Sequence, residues 1–297
     1  MKEWFELTLK SGQYSPDEID EALLTAGAIA VTYSDAEDHP VLEPLPGETP
    51  LWPETLVTGL FETPCDEKEI FSCVASVLAT EINALPVVKE NHLQKTDWER
   101  SWMDHYHAMK FGENLWICPT HLAPPEPECA TVMLDPGLAF GTGTHPSTAL
   151  CLTWLSNHKS SVENHTAIDY GCGSGVLGIA ARVLGASRCD ATDIDPQAIK
   201  ATHENAERNN VTINCALSNE FSAEPADLVM ANILALPLTA LAEKLASLAK
   251  PNANIILAGI LISDIEMIKE AYAPWFDFVE PFNTIDGWAL VHGIKRA

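Results

Sequence analysis

Strand and helix patterns alternate from about residue 129 to the end of this 297-residue chain, and that alternation constrains the fold more than any other feature. "TAIDYG" reads as a strand, 175–185 as a helix, "CDATDI" as a strand and 196–208 as a helix. "VTINCAL" and "ADLVMANI" follow as strands, 235–249 as a helix, "NIILAGI" as a strand and 263–273 as a helix. Short apolar runs bounded by turn residues are the mark of strands buried on both faces. Their alternation with helices predicts an α/β domain whose parallel sheet is covered on both sides and binds ligands at the carboxyl ends of its strands. The closing strands "FDFVEPF" and "GWALVHGI", joined by a turn, require one antiparallel strand in that sheet.

At the carboxyl end of the first of these strands stands "DYGCGSGVLG" (169–178). From Gly173 it is G-x-G-x-x-G, a dinucleotide fingerprint; from Asp169 it is D-x-G-x-G-x-G, a loop for S-adenosylmethionine. In both, glycines let the backbone turn sharply and approach a ligand where a Cβ would clash. Three neighbours decide. Asp169 would repel a pyrophosphate but suits a sulfonium donor that also carries an ammonium. Asp193 and Asp195 end the next strand just before Pro196, leaving no base for a phosphate and placing Asp193 for ribose hydroxyls. Asn232 ends "VMANIL" with a polar group at the same edge. The cofactor expected is S-adenosyl-L-methionine, with S-adenosyl-L-homocysteine as product.

The front of the chain has a different pattern. "EWFELTL" (3–9), "AIAVTY" (28–33), "TLVTGLF" (55–61) and "PVVKENHL" (86–93) read as strands. Ser15-Pro16-Asp17-Glu18 starts a helix that Gly27 ends, and Ile70, Val74, Val77, Leu78 and Ile82 mark a second. The order βαββαβ is the ferredoxin-like sandwich. Residues 34–53, rich in Pro, Asp and Glu, read as a loop. Trp98, Trp102, Tyr106 and Met109 form one helical stripe, read as docking a connector onto a neighbouring domain. The domains expected are 1–95 (ferredoxin-like), 96–128 (linker helix and connecting strand) and 129–297 (α/β).

Net charge is −25, and twenty acids against six bases fall in residues 1–100. Tight binding to free nucleic acid is disfavoured, since that affinity comes largely from Lys and Arg; the acidic surface reads mainly as one that keeps the protein soluble, with a basic partner as the sharper alternative. Eight cysteines without a C-x-x-C pair suggest reduced thiols in a cytoplasmic protein, and no apolar run is long enough to span a bilayer. His105 and His107 lack a third ligand at sensible spacing, so no metal is expected.

"LDPGLAFGTGTHPST" (134–148), "DYGCGSGVLGIAA" (169–181), "DIDPQAI" (193–199) and "ANILALPL" (231–238) together resemble the ribosomal protein L11 methyltransferase family, over the whole chain. Ser147 stands where that family usually has threonine, and Ala108 where proline is common. The resemblance implies a seven-stranded class I S-adenosylmethionine-dependent methyltransferase, Rossmann-like, with an N-terminal ferredoxin-like α+β domain that recognises the substrate. It further implies trimethylation of the N-terminal α-amino group and lysine ε-amino groups of ribosomal protein L11, free or ribosome-bound.

Gly171, Gly173 and Gly175 are expected to cradle the donor, and Asp193 to hold its ribose while Asp195 caps the next helix. Asp169 either contacts the donor's ammonium or pins the loop. Thr148 is carried over from the family motif as a donor contact, against an ordinary place in a helix's first turn. Phe140 and Thr142 lie in a glycine-rich stretch without the lysine of a phosphate loop, and are expected to close over the donor. His145 is read as a satisfied loop histidine. Asn232 resembles the residue that opens the amine-orienting motif of amino-methyltransferases, and is both the catalytic candidate and an expected donor contact. Ile233 and Leu234 follow it instead of two prolines and an aromatic ring, which favours an aliphatic amine over a nucleobase. The competing readings are a same-fold enzyme acting on another protein or a small amine, a non-catalytic donor-binding module and an NAD-linked dehydrogenase.

Overall fold

Ser15 sets the start of the first helix. Its hydroxyl takes the Glu18 N–H (3.2 Å), the Glu18 carboxylate takes the Ser15 N–H (2.7 Å), and Pro16 fills the first helical position. The structure, a computed structural model, describes residues 4–37, 52, 54–93, 107–135 and 143–297. The chain divides into two compact units, Met1–Ser101 and Trp102–Ala297.

The first unit runs β1 (Trp4–Lys10), α1 (Pro16–Thr25), β2 (Ala30–Asp35), β3 (Thr55–Glu62), α2 (Glu67–Val77) and β4 (Val87–Leu93). Its antiparallel sheet has the order β2-β3-β1-β4, which is the ferredoxin-like arrangement. Period-two alternation turns Phe5, Leu7, Leu9, Val57 and Phe61 to one face, where Ile19, Leu23, Ile70 and Val74 of the helices bury them. A Cβ on Gly59 would come 2.9 Å from the Leu23 side chain, so glycine there lets α1 lie close on β3. The second strand starts and ends two residues later than its sequence pattern suggests, and Ile82 sits in a 3-10 turn beyond α2.

The second unit opens with a small sheet, β5 (Met109–Phe111), β6 (Leu115–Cys118) and β7 (Ala130–Met133), joined in that order. Met109 therefore begins a strand and does not continue a helical stripe; Trp98, Trp102 and Tyr106 lie outside the described residues. Phe111, Leu115, Ile117 and Val132 enter the same buried cluster as the large sheet, so strands on both sides of residue 129 share one core.

The alternating elements follow: α3 (Pro146–Asn157), β8 (Thr166–Tyr170), α4 (Val176–Val183), β9 (Arg188–Asp193), α5 (Pro196–Arg208), β10 (Asn214–Leu217) and β11 (Ala226–Asn232). Then come α6 (Ala235–Ala240), α7 (Ala242–Ser247), β12 (Ala249–Leu261), α8 (Ile265–Tyr272), β13 (Phe276–Phe278), β14 (Asn283–Ile285) and β15 (Trp288–Lys295). The sheet order is β10-β9-β8-β11-β12-β15-β13, parallel through β12, with β15 antiparallel to its neighbours. Met230 and Ile256 face a cluster with Trp154, Leu177 and Ile179; their neighbours Val229, Ala231, Ile255 and Leu257 face another with Leu238, Leu245 and Ile268. Both faces are thus covered, as a parallel sheet requires.

Two features correct the sequence pattern. The helix expected over 235–249 is two short helices that part at Leu241, whose N–H is shared between the Pro237 and Leu238 carbonyls (3.1 and 3.2 Å), and the buried Tyr272 hydroxyl donates to the same Leu238 carbonyl (2.9 Å). An eighth short strand, β14, joins the seven expected: Asp286 and Gly287 both take positive φ (49° and 83°) and close a tight hairpin onto β15.

Candidate active site

Sheet order reverses between β8 and β11, where strands leave to opposite sides and a crevice opens at their carboxyl ends. Register sets Tyr170 beside Thr192 and Met230 beside Asp169, so Asp169, Asp193 and Asn232 come to one edge. The glycine loop spans that crevice. The N–H groups of Gly171 and Cys172 both donate to the Thr192 carbonyl (2.8 and 3.0 Å), tying the loop to β9. Gly171, Gly173 and Gly175 have φ of +80°, +53° and +79°, a region open mainly to glycine. A Cβ on Gly175 would lie 2.8 Å from the Thr202 side chain.

Both oxygens of Asp193 accept from backbone amides, Oδ2 from Gly173 (2.9 Å) and Oδ1 from Asp195 (3.0 Å). Asp195 caps α5 by accepting from Gln197 N–H (2.8 Å), the capping role its spacing suggested. From α5, Thr202 Oγ1 donates to the Gly173 carbonyl (3.2 Å) and Asn205 Nδ2 to the Ser174 carbonyl (2.9 Å). Sequence reasoning missed these two clamps. Their one signal is position: polar residues 202 and 205 lie on the side of α5 facing the loop.

Of the two roles open to Asp169, the structure displays the pin. Its Oδ2 accepts from Gly178 N–H (2.8 Å) in the first turn of α4, and the residue is 1% exposed. Burial, with Asp193's charge adding to it, outweighs that bond and pushes the Asp169 carboxyl up to about 7. His145 caps α3: its Nδ1 accepts from Ser147 N–H (3.3 Å), and its ring meets Trp288 edge-on at 4.7 Å. Burial lowers its pKa, consistent with a neutral capping imidazole.

Thr148, fully buried in the first turn of α3, reaches Asn232. Asn232 Nδ2 donates to Thr148 Oγ1 (3.1 Å), while its Oδ1 is buried with no hydrogen-bond partner among the described residues. A buried acceptor left open is costly unless something fills it, so the group is suited to a donor that arrives with a ligand. Ile194, 85% exposed, stands beside Asp193 as an apolar surface. Phe140 and Thr142 lie outside the described residues. Among the described residues no group of three His, Cys, Asp or Glu could hold a metal ion, and no helix is long and apolar enough to cross a membrane.

This strand order, with one reversed strand and a glycine loop over the switch point, defines a class I S-adenosylmethionine-dependent methyltransferase fold. The glycine cradle and the open Asn232 acceptor fit such a donor and its acceptor. Comparison with known proteins narrows the class. The profile described as "Ribosomal protein L11 methyltransferase (PrmA)" matches residues 3–296. Proteins named ribosomal protein L11 methyltransferase are 45% identical over 296 residues in Aeromonas salmonicida, covering 99% of both chains, and 44% over 295 in Cellvibrio japonicus, covering 98% of both. The crystal structure of ribosomal protein L11 methylase from Lactobacillus delbrueckii subsp. bulgaricus is 31% identical, with a TM-score of 0.57 over 65% of this chain and 100% of that one. The chain belongs to the ribosomal protein L11 methyltransferase (PrmA) family.

Proposed function

We propose that this protein methylates amino groups of ribosomal protein L11, at the N-terminal α-amino group and at lysine ε-amino groups, up to the trimethyl state. The carrying observation is Asn232 Oδ1, a buried acceptor without a partner among the described residues, at the strand edge beside the glycine loop. Family membership supports the client and the donor.

In this reading Gly171, Gly173 and Gly175 cradle S-adenosylmethionine, and Phe140 and Thr142 close over it. Asp193 takes the ribose hydroxyls on the acceptor capacity its two amide partners leave, and Ile194 covers the adenine. Thr148, while accepting from Asn232, keeps its own proton to donate to the donor. Asp169 supports the loop through Gly178, and its charge favours a cation above it. When bound, S-adenosylmethionine supplies a methyl group already activated on a sulfonium.

What remains for the chain is alignment and dehydration. Asn232 Oδ1 accepts an N–H of the amine and so aims the nitrogen lone pair. The amine must arrive neutral. A lysine of pKa ~10.4 is only about 0.1% neutral near pH 7.4, against tens of per cent for an α-amino group near ~7.8. Burial and the nearby sulfonium both lower that pKa, and the proton leaves to water before attack. The acidic first unit recognises the basic client.

The test is mass spectrometry of unmethylated ribosomal protein L11 incubated with enzyme and donor. Mass gains in methylene steps at the N-terminus and lysines are expected. Asn232→Ala should slow the transfer by roughly 10- to 100-fold, the value of one well-placed hydrogen bond. No gain despite calorimetric donor binding would move the reaction to another protein or a small amine. Full activity in Asn232→Ala would remove the role given to that residue.

A further inference from the structure

The open acceptor of Asn232 depends on a neighbour with no side chain. Gly259 lies two residues before the end of β12, with φ of +78° where a strand should be extended. Pairing between β12 and β15 shifts between Leu257 and Ile260, so Gly259 sits in a bulge. Directly before the bulge, Ile233 N–H donates to the Ala258 carbonyl (3.0 Å), which ties the end of β11 to it. A Cβ on Gly259 would come 2.7 Å from the Ile233 carbonyl oxygen, 2.9 Å from its carbon and 3.0 Å from Asn232 Oδ1. Two of those three atoms are backbone, which no rotamer change can move aside.

Asn232 is therefore held from two sides. Thr148 Oγ1 takes one end of its amide, and the other end lies 3.0 Å from where a Cβ on Gly259 would stand. We propose that Gly259 is a positioning residue for the reacting amine: its missing Cβ lets β11 and Asn232 close onto the bulge, and so keeps Asn232 Oδ1 open to the substrate N–H. The inference rests on the amine-methylating reading of the site. A methyl group at 259 pushes the Ile233 carbonyl and the Asn232 amide together off β12, so Oδ1 swings out of line with the incoming nitrogen. Ile233 also packs on Gly171, and Thr148 contacts the donor in this reading, so donor affinity shifts modestly, while the Asp193–Gly173 contact at the end of β9 stays in place.

A glycine kept only for its positive φ would cost stability when replaced but would not act through Asn232, and a double-mutant cycle separates the two. Gly259→Ala, Asn232→Ala and the double variant are compared for kcat on unmethylated ribosomal protein L11 and for the dissociation constant of S-adenosylmethionine. Gly259→Ala should lower kcat by about tenfold or more with donor affinity within about threefold, and should change kcat less than about twofold when added to Asn232→Ala. Equal fold-losses in both backgrounds, or an unchanged kcat in Gly259→Ala, would overturn the proposal. Should Gly259→Ala fail to bind donor, Gly259→Asn carries the same Cβ on a residue that tolerates positive φ, and the same comparison decides. Failure of the wild-type protein to methylate the client would count against the reaction, whereas an active wild type with additive variants would count against Gly259 alone.

Discussion

Asp169 is a carboxyl group in a place water does not reach. Burial and the Asp193 charge outweigh the Gly178 N–H and raise its pKa to about 7, from the usual ~3.9. A raised folded-state pKa means stability that is complete below about pH 4 and is lost as pH rises through about 7. Asp169→Asn keeps an oxygen for Gly178 and removes that titration. The unfolding free energy of the Asn variant should therefore gain on the wild type between pH 5 and 8, by on the order of 2 kcal/mol at the upper end. Parallel curves in a calorimetric pH series would refute the assignment. Half of this was legible. Alternation along β8 puts Asp169 on the same face as Ala167, the face α4 covers, which favours a pin over a ligand contact. The Thr148–Asn232 pair was not legible, since 84 residues separate partners that only the closed sheet brings together.

At the opposite end of the strands from the crevice, a bracket fastens β8, β11 and the start of β12. Lys250 Nζ donates to both oxygens of Asp227 (2.9 Å each) and to Thr166 Oγ1 (3.2 Å), and Thr166 donates N–H (2.9 Å) and hydroxyl (2.7 Å) to Asp227. Burial alone would raise the Asp227 pKa, but Thr166 and Lys250 together hold it at about 2. With a depressed pKa the sign is opposite to Asp169: stability is present above about pH 4 and lost as pH falls through about 2. Asp227→Asn should cost about 1 kcal/mol at pH 7, an amount reduced by solvent screening of the half-exposed Lys250, and progressively less toward pH 2. Denaturant midpoints at pH 7 and pH 3 measure it; an equal loss at both would reject a charge-based bracket. Among the elements themselves, α5 follows its sequence signals because Asp195 and Pro196 are local. The break between α6 and α7 has no such local signal, and the Tyr272 hydroxyl that bonds Leu238 beside it comes from 34 residues away. The β14 hairpin is signalled by Asp286-Gly287, but residues 283–286 read as the turn that joins the two closing strands.

At the scale of the whole molecule, charge is the property most directly readable from composition. Twenty acids and six bases in residues 1–100 give the first unit a field that attracts a basic client and is screened beyond about 8 Å at physiological salt. The KM for ribosomal protein L11 should rise severalfold between 50 and 500 mM salt while donor affinity changes little; a salt-independent KM would assign the acidic surface to solubility alone. Sheet order was legible only in part. Strand–helix alternation predicts the parallel run through β12 and one reversed strand, but not that β15 enters between β12 and β13. That insertion has a consequence for biosynthesis. Among the described strands, β13 and β14 pair with β15 alone, and β12 has a bare edge without it. Trp288, the first residue of β15, also meets His145, the cap of the helix whose Thr148 holds Asn232. A nascent chain that has reached residue 287 thus has its glycine loop but no finished sheet. The edge that carries Asn232 is therefore completed only when β15, more than a hundred residues beyond the glycine loop, has entered the sheet.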